Sequence, residues 1–264
     1  MLQTHNMEEL KHPEEEERII PAKRILYLNA DTETPEDRVF ADSVHKQIVE
    51  SMDMLRYVGP GISVFGSARF TEDHLYYQDA VEFGKRIAEM NFTTITGGGP
   101  GIMEAANRGA FEAGGRSVGL NIVLPHEQHE NPYLTESFTF DFFFVRKVML
   151  VKYSYAFIIM PGGFGTMDEF YETLTLVQTN SIEQFPIVLF GKDYYEEIID
   201  SMEKMVEDKT ISPYDLDLVL ITDSHDEAME HIKKYINHNY IIVQKRKKGK
   251  WWHADDDGRR AKRK

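Results

Sequence analysis

Apolar positions along this chain follow two patterns that alternate. From residue 37 to residue 55, Val39, Phe40, Val44, Ile48, Met52 and Leu55 recur at helical spacing, which predicts a helix over that stretch. Gly59-Pro60-Gly61 then breaks the chain. Beyond it, short apolar runs predict strands at 62–66, 93–96, 117–123, 138–142, 156–160, 186–190 and 218–222. Amphipathic stretches between them predict helices at 76–90, 102–113, 144–155, 166–179, 194–207 and 224–237. Most of the runs lack the polar alternation of a half-exposed strand, so the sheet they build is covered on both faces and parallel. The predicted fold class is α/β: one doubly wound parallel sheet, Rossmann-like, a single domain with an N-terminal helical extension. The extension covers residues 1–58, with a disordered start followed by the helix. The Rossmann-like domain covers 59–240, and a basic, flexible tail covers 241–264.

Two of the strand–helix junctions are rich in glycine. The first is Gly97-Gly98-Gly99-Pro100-Gly101-Ile102-Met103-Glu104. It is not the dinucleotide fingerprint, because Ile102 stands where the last glycine is needed, and no Gly-Lys-Ser/Thr follows to make a P-loop. Pro100 suits a first helical turn, so a well-made helix start also accounts for it. The second junction, Pro161-Gly162-Gly163-Phe164-Gly165-Thr166-Met167-Asp168-Glu169, follows the apolar run Ala156 to Met160. Glycines let a backbone approach a ligand closely, and free amides at a helix start attract an anion. A competing account is local: Thr166 and Glu169 fit the T-x-x-E capping box, which satisfies orphan helix amides. That cap leaves three glycines in the four positions 162–165 unexplained. Both turns lie at strand carboxyl ends, where open α/β sheets bind their ligands.

Composition narrows the field. With no cysteine among 264 residues, disulfide scaffolds and cysteine–metal sites are excluded. The polar, acidic stretch from Met1 to Arg18 has no apolar signal-peptide core, and no apolar run reaches the ~18–20 residues of a membrane span. These observations predict a cytoplasmic protein without a membrane partner. The net charge of −14 argues against broad nucleic-acid binding. The exception is the tail from Lys245 to Lys264, with ten Lys/Arg against three Asp. It could meet a nucleic acid or an acidic surface, and a solvated end explains it equally. His126-Glu127-Gln128-His129-Glu130 is one residue short of H-E-x-x-H and is bracketed by Pro125 and Pro132, so a loop is expected there and no metal site.

The two glycine junctions, in this order, resemble the paired motifs of the "lonely guy" (LOG) family, the second of which is P-G-G-x-G-T-x-x-E. Members are often mislabelled lysine decarboxylases. The resemblance runs over roughly residues 60–240 and includes Phe65-Gly66-Ser67-Ala68-Arg69, Leu124-Pro125-His126-Glu127-Gln128 and Phe144-Val145-Arg146-Lys147. The long N-terminal extension is similar to that of the larger bacterial subgroup. The resemblance implies hydrolysis of the N-glycosidic bond of a nucleoside 5'-monophosphate, such as AMP or a cytokinin riboside monophosphate, to free base and ribose 5-phosphate. It implies a catalytic Arg146 and Glu169, with the phosphate-binding turn at Gly162, Gly163, Gly165 and Thr166. It also implies a homodimer or higher homo-oligomer with active sites near the interface, for which the N-terminal helix is a candidate element.

The residue types suit that reaction. Cleaving a ribosyl–base bond builds oxocarbenium-like charge, which a fixed carboxylate can stabilise while activating water. Near a helix start the dipole favours an ionised Glu169, which suits a base or stabiliser better than an acid. Arg146 offers a planar donor fork to phosphate or ribose hydroxyls, though a surface ion pair is its ordinary role. Asp168 is expected as a helix-start charge. Gly98, Gly99, Gly101, Ser67, Arg69, Met103, Glu104 and Lys147 are further candidate nucleotide contacts, with core packing the rival role for Met103. No cofactor and no metal are required, and nothing points to the lysine and ring-nitrogen partner of a pyridoxal enzyme. The rival function on the same sheet is a non-catalytic nucleotide-binding or carrier protein.

Overall fold

A computed structural model of the chain describes residues 35–124, 129–183 and 185–240. The acidic N-terminal stretch, the basic tail and residues 125–128 of the His126 loop lie outside the described residues. Helix α1 (Pro35–Leu55) leads into β1 (Gly61–Phe65), α2 (Leu75–Glu89), β2 (Thr93–Thr96), α3 (Ile102–Glu112), β3 (Ser117–Ile122) and β4 (Glu136–Phe140). Then follow α4 (Phe143–Lys152), β5 (Ser154–Ile159), α5 (Phe164–Gln178), β6 (Ile187–Phe190), α6 (Lys192–Glu207), β7 (Val219–Thr222) and α7 (His225–Asn239).

The strands form one seven-stranded sheet in the order β4-β3-β2-β1-β5-β6-β7, with every neighbouring pair parallel. The first four strands build outward from β1 in one direction and the last three in the other. The order therefore reverses between β1 and β5, and at such a switch point two loops diverge to opposite faces and open a crevice at the strand carboxyl ends.

Alternate residues of the central strands feed two cores, as the period of two requires. Phe157, Ile159, Ile187 and Leu189 face the side covered by α1, α4, α5 and α6. Ala156, Ile158, Val188 and Phe190 face the side of α2, α3 and α7. On that second side α2 and α3 approach closely because Gly84 lies on the Ala106 carbonyl and Gly109 on the Val81 carbonyl, leaving no space for a Cβ at either position. Helix α1 is docked rather than detached. Asp141 N–H donates to Gln47 Oε1 at 3.1 Å, the Tyr153 hydroxyl donates to Met52 O at 3.4 Å, and Leu55 is buried in the first core.

Several boundaries differ from those expected from periodicity. Helix α4 stops at Lys152 and β5 begins at Ser154, because Ser154 pairs in register with Gly61 and its hydroxyl bonds that of Ser63 at 2.7 Å. Strand β4 sits two residues earlier than expected, paired to β3 from Val118↔Glu136 to Ile122↔Phe140. A 3-10 helix, Pro213–Leu218, precedes β7; it is opened by a capping box in which Ser212 and Asp215 satisfy each other's amides. Among the described residues no helix is long and apolar enough to cross a membrane.

Candidate active site

The turn between β5 and α5 is held from outside by its carbonyls. The Tyr195 hydroxyl donates to Met160 O at 2.7 Å, Ser67 N–H to Pro161 O at 2.9 Å, and the Tyr194 hydroxyl to Gly162 O at 2.9 Å. Helix α5 begins at Phe164, with Gly163 as its N-cap and no side-chain cap. Thr166 and Met167 donate to Gly163 O, both at 3.0 Å. Thr166 is thus already inside the helix, and the competing account, a capping box with Glu169, does not hold. Its side chain instead fills the space a Cβ on Gly162 would take. The amides of Phe164 and Gly165, in the first turn, are left without a cap.

Gly163 and Gly165 are the informative glycines. Neither has a positive φ, and a Cβ added to either would meet nothing within 4 Å. Neither backbone conformation nor packing requires glycine there, although glycine in a helix costs about 0.5–1 kcal/mol relative to alanine. What the two glycines preserve is open space in front of uncapped amides, the geometry of an anion cradle.

The turn between β2 and α3 is differently built. Gly98 and Gly101 have φ of 74° and 69°, and Gly101 lies against the backbone of Ser67 and Ala68. Ile102 N–H, the first amide of α3, donates to Ser67 O at 2.9 Å. Asn131 Nδ2 donates to Gly98 O and Gly99 O, each at 3.1 Å. These glycines serve contacts within the chain, and Gly98, Gly99 and Gly101 do not line the cleft. Gly97 and Met103 do.

The cleft, about 910 Å³ in volume, opens at the strand carboxyl ends across the switch point. Of the residues singled out from sequence, Ser67, Arg69, Met103, Arg146, Gly162, Gly163, Gly165, Thr166 and Glu169 line it together. Glu104 lies elsewhere, accepting a hydrogen bond from Tyr77 at 3.1 Å. Lys147, also outside the lining, bridges α4 to α5 by donating to Asp168 at 2.9 Å and pairing with Glu172. Asp168 is therefore an ion-pair partner at the cleft rim. Asn121, Glu130, Thr139, Phe143 and Tyr194 also line the cleft. Asn121 interrupts an apolar run, which is a faint sequence signal; the others carry none, because distant segments bring them together. The His126 loop is described only at its last residues, His129 and Glu130. Among the described residues no group of three or more His, Asp or Glu could hold a metal.

Arg146 and Glu169 face each other electrostatically without an ion pair. The Arg146 guanidinium rests on Gly97 beside Met103, where a Cβ would collide with it, and its buried Nε has no acceptor. Burial lowers the Arg146 pKa, an effect opposed by the charge of Glu169. Glu169 is 6% exposed, and burial pushes its carboxyl up to about 7, against the pull of Arg146 and then Lys147. This corrects the expectation from the helix dipole: Glu169 sits in the second turn of α5, and desolvation outweighs the dipole. A buried charged donor without a partner costs roughly 1–3 kcal/mol or more, so Arg146 is a group held ready for an acceptor. Together the cleft offers an anion cradle, a cation and a desolvated carboxyl along one wall.

A family model described as possible lysine decarboxylase matches residues 103–232. A probable cytokinin riboside 5'-monophosphate phosphoribohydrolase of Oryza sativa subsp. japonica, LOGL6, is 27% identical over 202 residues, covering 75% of this chain and 80% of that protein. The cytokinin riboside 5'-monophosphate phosphoribohydrolase LOG3 of Arabidopsis thaliana is 29% identical over 164 residues, covering 60% of this chain and 75% of that one. Among solved structures, the molybdenum cofactor binding protein of Rippkaea orientalis is 25% identical with a TM-score of 0.51, covering 67% of this chain and 97% of that chain. The family model, these relatives and the paired glycine junctions agree, and the chain is similar to the LOG family over its α/β domain.

Proposed function

We propose that the protein hydrolyses the N-glycosidic bond of a nucleoside 5'-monophosphate, AMP or a cytokinin riboside monophosphate, releasing the base and ribose 5-phosphate. The observation that carries this reading is the pair of open glycines, Gly163 and Gly165, in front of uncapped amides and one helical turn from the buried Glu169. The phosphate is received at the α5 N-terminus, where amides and dipole favour it. Arg146 supplies the buried donor for phosphate or ribose oxygens. The C1'–N bond breaks with its electron pair leaving on the base, and positive charge builds on the sugar. Ionised Glu169 stabilises that charge and takes a proton from the water that adds to C1', and the base carries a proton away on release.

A carrier protein that binds a nucleotide-like ligand without cleaving it is the second reading, favoured by the similarity to the Rippkaea orientalis molybdenum cofactor binding protein. The cradle alone suits both readings. The arginine and carboxyl placed beyond it suit the hydrolase.

A homodimer or larger homo-oligomer is part of the proposal. Val39 and Phe40 of α1 and Phe143, Phe144 and Val148 of α4 are exposed, and the two helices meet where Phe40 lies 5.1 Å from Phe142 and 6.3 Å from Phe144 between ring centroids. Phe143 also lines the cleft, so an interface formed there adjoins the site. Exposed apolar patches of this kind mark interaction surfaces.

Three outcomes are expected. Base release from AMP rises as pH climbs through about 7, because Glu169 must lose its proton to act; a profile falling through that range contradicts its role as base. The sign for stability is opposite. A carboxyl whose folded pKa is raised from 4.5 to about 7 contributes stability that is fully present below 4.5 and is lost as pH rises through about 7. Gly165→Ala separates binding from folding. Alanine is the better helix former by about 0.5–1 kcal/mol, so urea unfolding shows equal or greater stability, while calorimetric affinity for ribose 5-phosphate drops about tenfold or more. Unchanged affinity would remove the phosphate from this turn. Sedimentation velocity at micromolar concentration shows a dimer or larger species, and a monomer would contradict the interface.

A further inference from the structure

One carboxylate of the cleft has no part in the chemistry above, yet much of the surrounding structure holds it in place. Glu130 lines the cleft from the loop between β3 and β4. Its Oε1 accepts from Asn121 Nδ2 at 2.8 Å and from the Thr139 hydroxyl at 3.4 Å, and its Oε2 accepts from the Ser137 hydroxyl at 3.0 Å. The next residue, Asn131, is buried and fastened to the β2–α3 turn. Its N–H donates to Gly98 O at 2.9 Å, and its Nδ2 reaches Gly98 O, Gly99 O and Asn107 Oδ1. Asn107 in turn bonds Thr96 at 2.5 Å and Ser117 at 2.8 Å. The backbone beside Glu130 is therefore set by a buried polar network, and its carboxylate by three neutral donors. Among the described residues no lysine or arginine pairs with it.

Its position along the cleft follows from strand order. The phosphate cradle follows β5, and Asn121 lies on β3, with β1 and β2 between them. Three strand spacings of about 4.8 Å separate the two ends by about 14 Å. Arg146, resting on Gly97 after β2, lies between them. A nucleotide laid with its phosphate on the α5 N-terminus and its ribose at Arg146 and Glu169 extends its base toward Asn121 and Glu130. The α5 end of the cleft thus offers free amides and a guanidinium beside Glu169, and the far end an acceptor-only carboxylate.

We propose that Glu130 is the specificity-determining residue for the base. Its carboxylate accepts a hydrogen bond from an exocyclic amino group, so aminated bases (adenine or cytosine type) are taken in preference to their oxo counterparts (hypoxanthine or uracil type). The proposal rests on the hydrolase reading above. An amino group supplies the donor that a carboxylate without a cation lacks. An oxo group in the same place sets lone pairs against a negative charge and leaves both desolvated, the repulsive half of discrimination.

The test is base release from AMP and IMP, and from CMP and UMP, by wild-type protein and by Glu130→Gln and Glu130→Ala. Glutamine keeps the shape and can donate to an oxo group. The expected result is a wild-type preference for the amino member of each pair. In Glu130→Gln the AMP:IMP ratio of kcat/KM falls about tenfold or more, through slower AMP cleavage and equal or faster IMP cleavage. In Glu130→Ala the preference is lost, through slower AMP cleavage and relief of the repulsion against IMP, with a smaller gain on IMP than glutamine gives. If Glu130 only pins its loop, both substrates slow together and the ratio stays at the wild-type value, which overturns the proposal while leaving the hydrolase reading intact. If wild-type protein releases no base from any of the four nucleotides, the hydrolase reading falls and the base assignment with it.

Discussion

The site depends on the backbone of Ser67, which stands at the one place where the sheet reverses its strand order. Its N–H donates to Pro161 O after β5, and its C=O accepts from Ile102 N–H at the start of α3. Three loops, following β1, β2 and β5, are joined through two hydrogen bonds of 2.9 Å. Each bond contributes only about 1 kcal/mol net, but their effect is geometric. With the carbonyls of Met160, Pro161 and Gly162 all accepting from donors outside the turn, the turn is held while its amides stay free for the cleft. The same two bonds separate the glycine-rich junctions into different tasks. The α3 junction gives its first amide to Ser67 and becomes a supporting wall, and the α5 junction keeps its amides uncapped.

Burial sets the chemistry of that wall. Glu169 and Arg146 are desolvated together but do not form an ion pair, so neither charge is quenched by the other. A tight pair would hold the carboxylate well below neutral pH and occupy the guanidinium donors. Separation leaves Glu169 near 7 and Arg146 Nε without an acceptor, a costly arrangement that a structural salt bridge would avoid. Perturbed groups of this kind mark functional sites when they also line a cleft, as these two do. Lys147, next along α4, forms the ordinary ion pairs instead, with Asp168 and Glu172.

Much of the architecture was legible in the chain. Buried parallel strands show as apolar runs such as Phe157 to Met160, and the α1 stripe shows as helical spacing from Val39 to Leu55. The start of α5 was misplaced because Thr166 and Glu169 imitate a capping box, whereas the helix has already begun at Phe164. Local sequence favours the cap, while the carbonyls anchored by Ser67 and Tyr194 settle where the helix starts. The acidity of Glu169 was hidden for a related reason. A dipole is a property of the helix, but desolvation comes from the tertiary burial of the side chain. Glu130 and Tyr194 carried no signal as site residues and Asn121 only a faint one, since the strand order β4-β3-β2-β1-β5-β6 is what brings them to one cleft.

The central claim is that a buried carboxyl beside an open anion cradle breaks the base–ribose bond. The most direct measurement is the single-turnover rate of adenine release from AMP by wild-type protein and by Glu169→Gln, with ribose 5-phosphate affinity measured on both. A loss of about a hundredfold or more in rate, with affinity retained, is the predicted result. Equal rates in the two proteins would contradict it and take the chemistry away from Glu169.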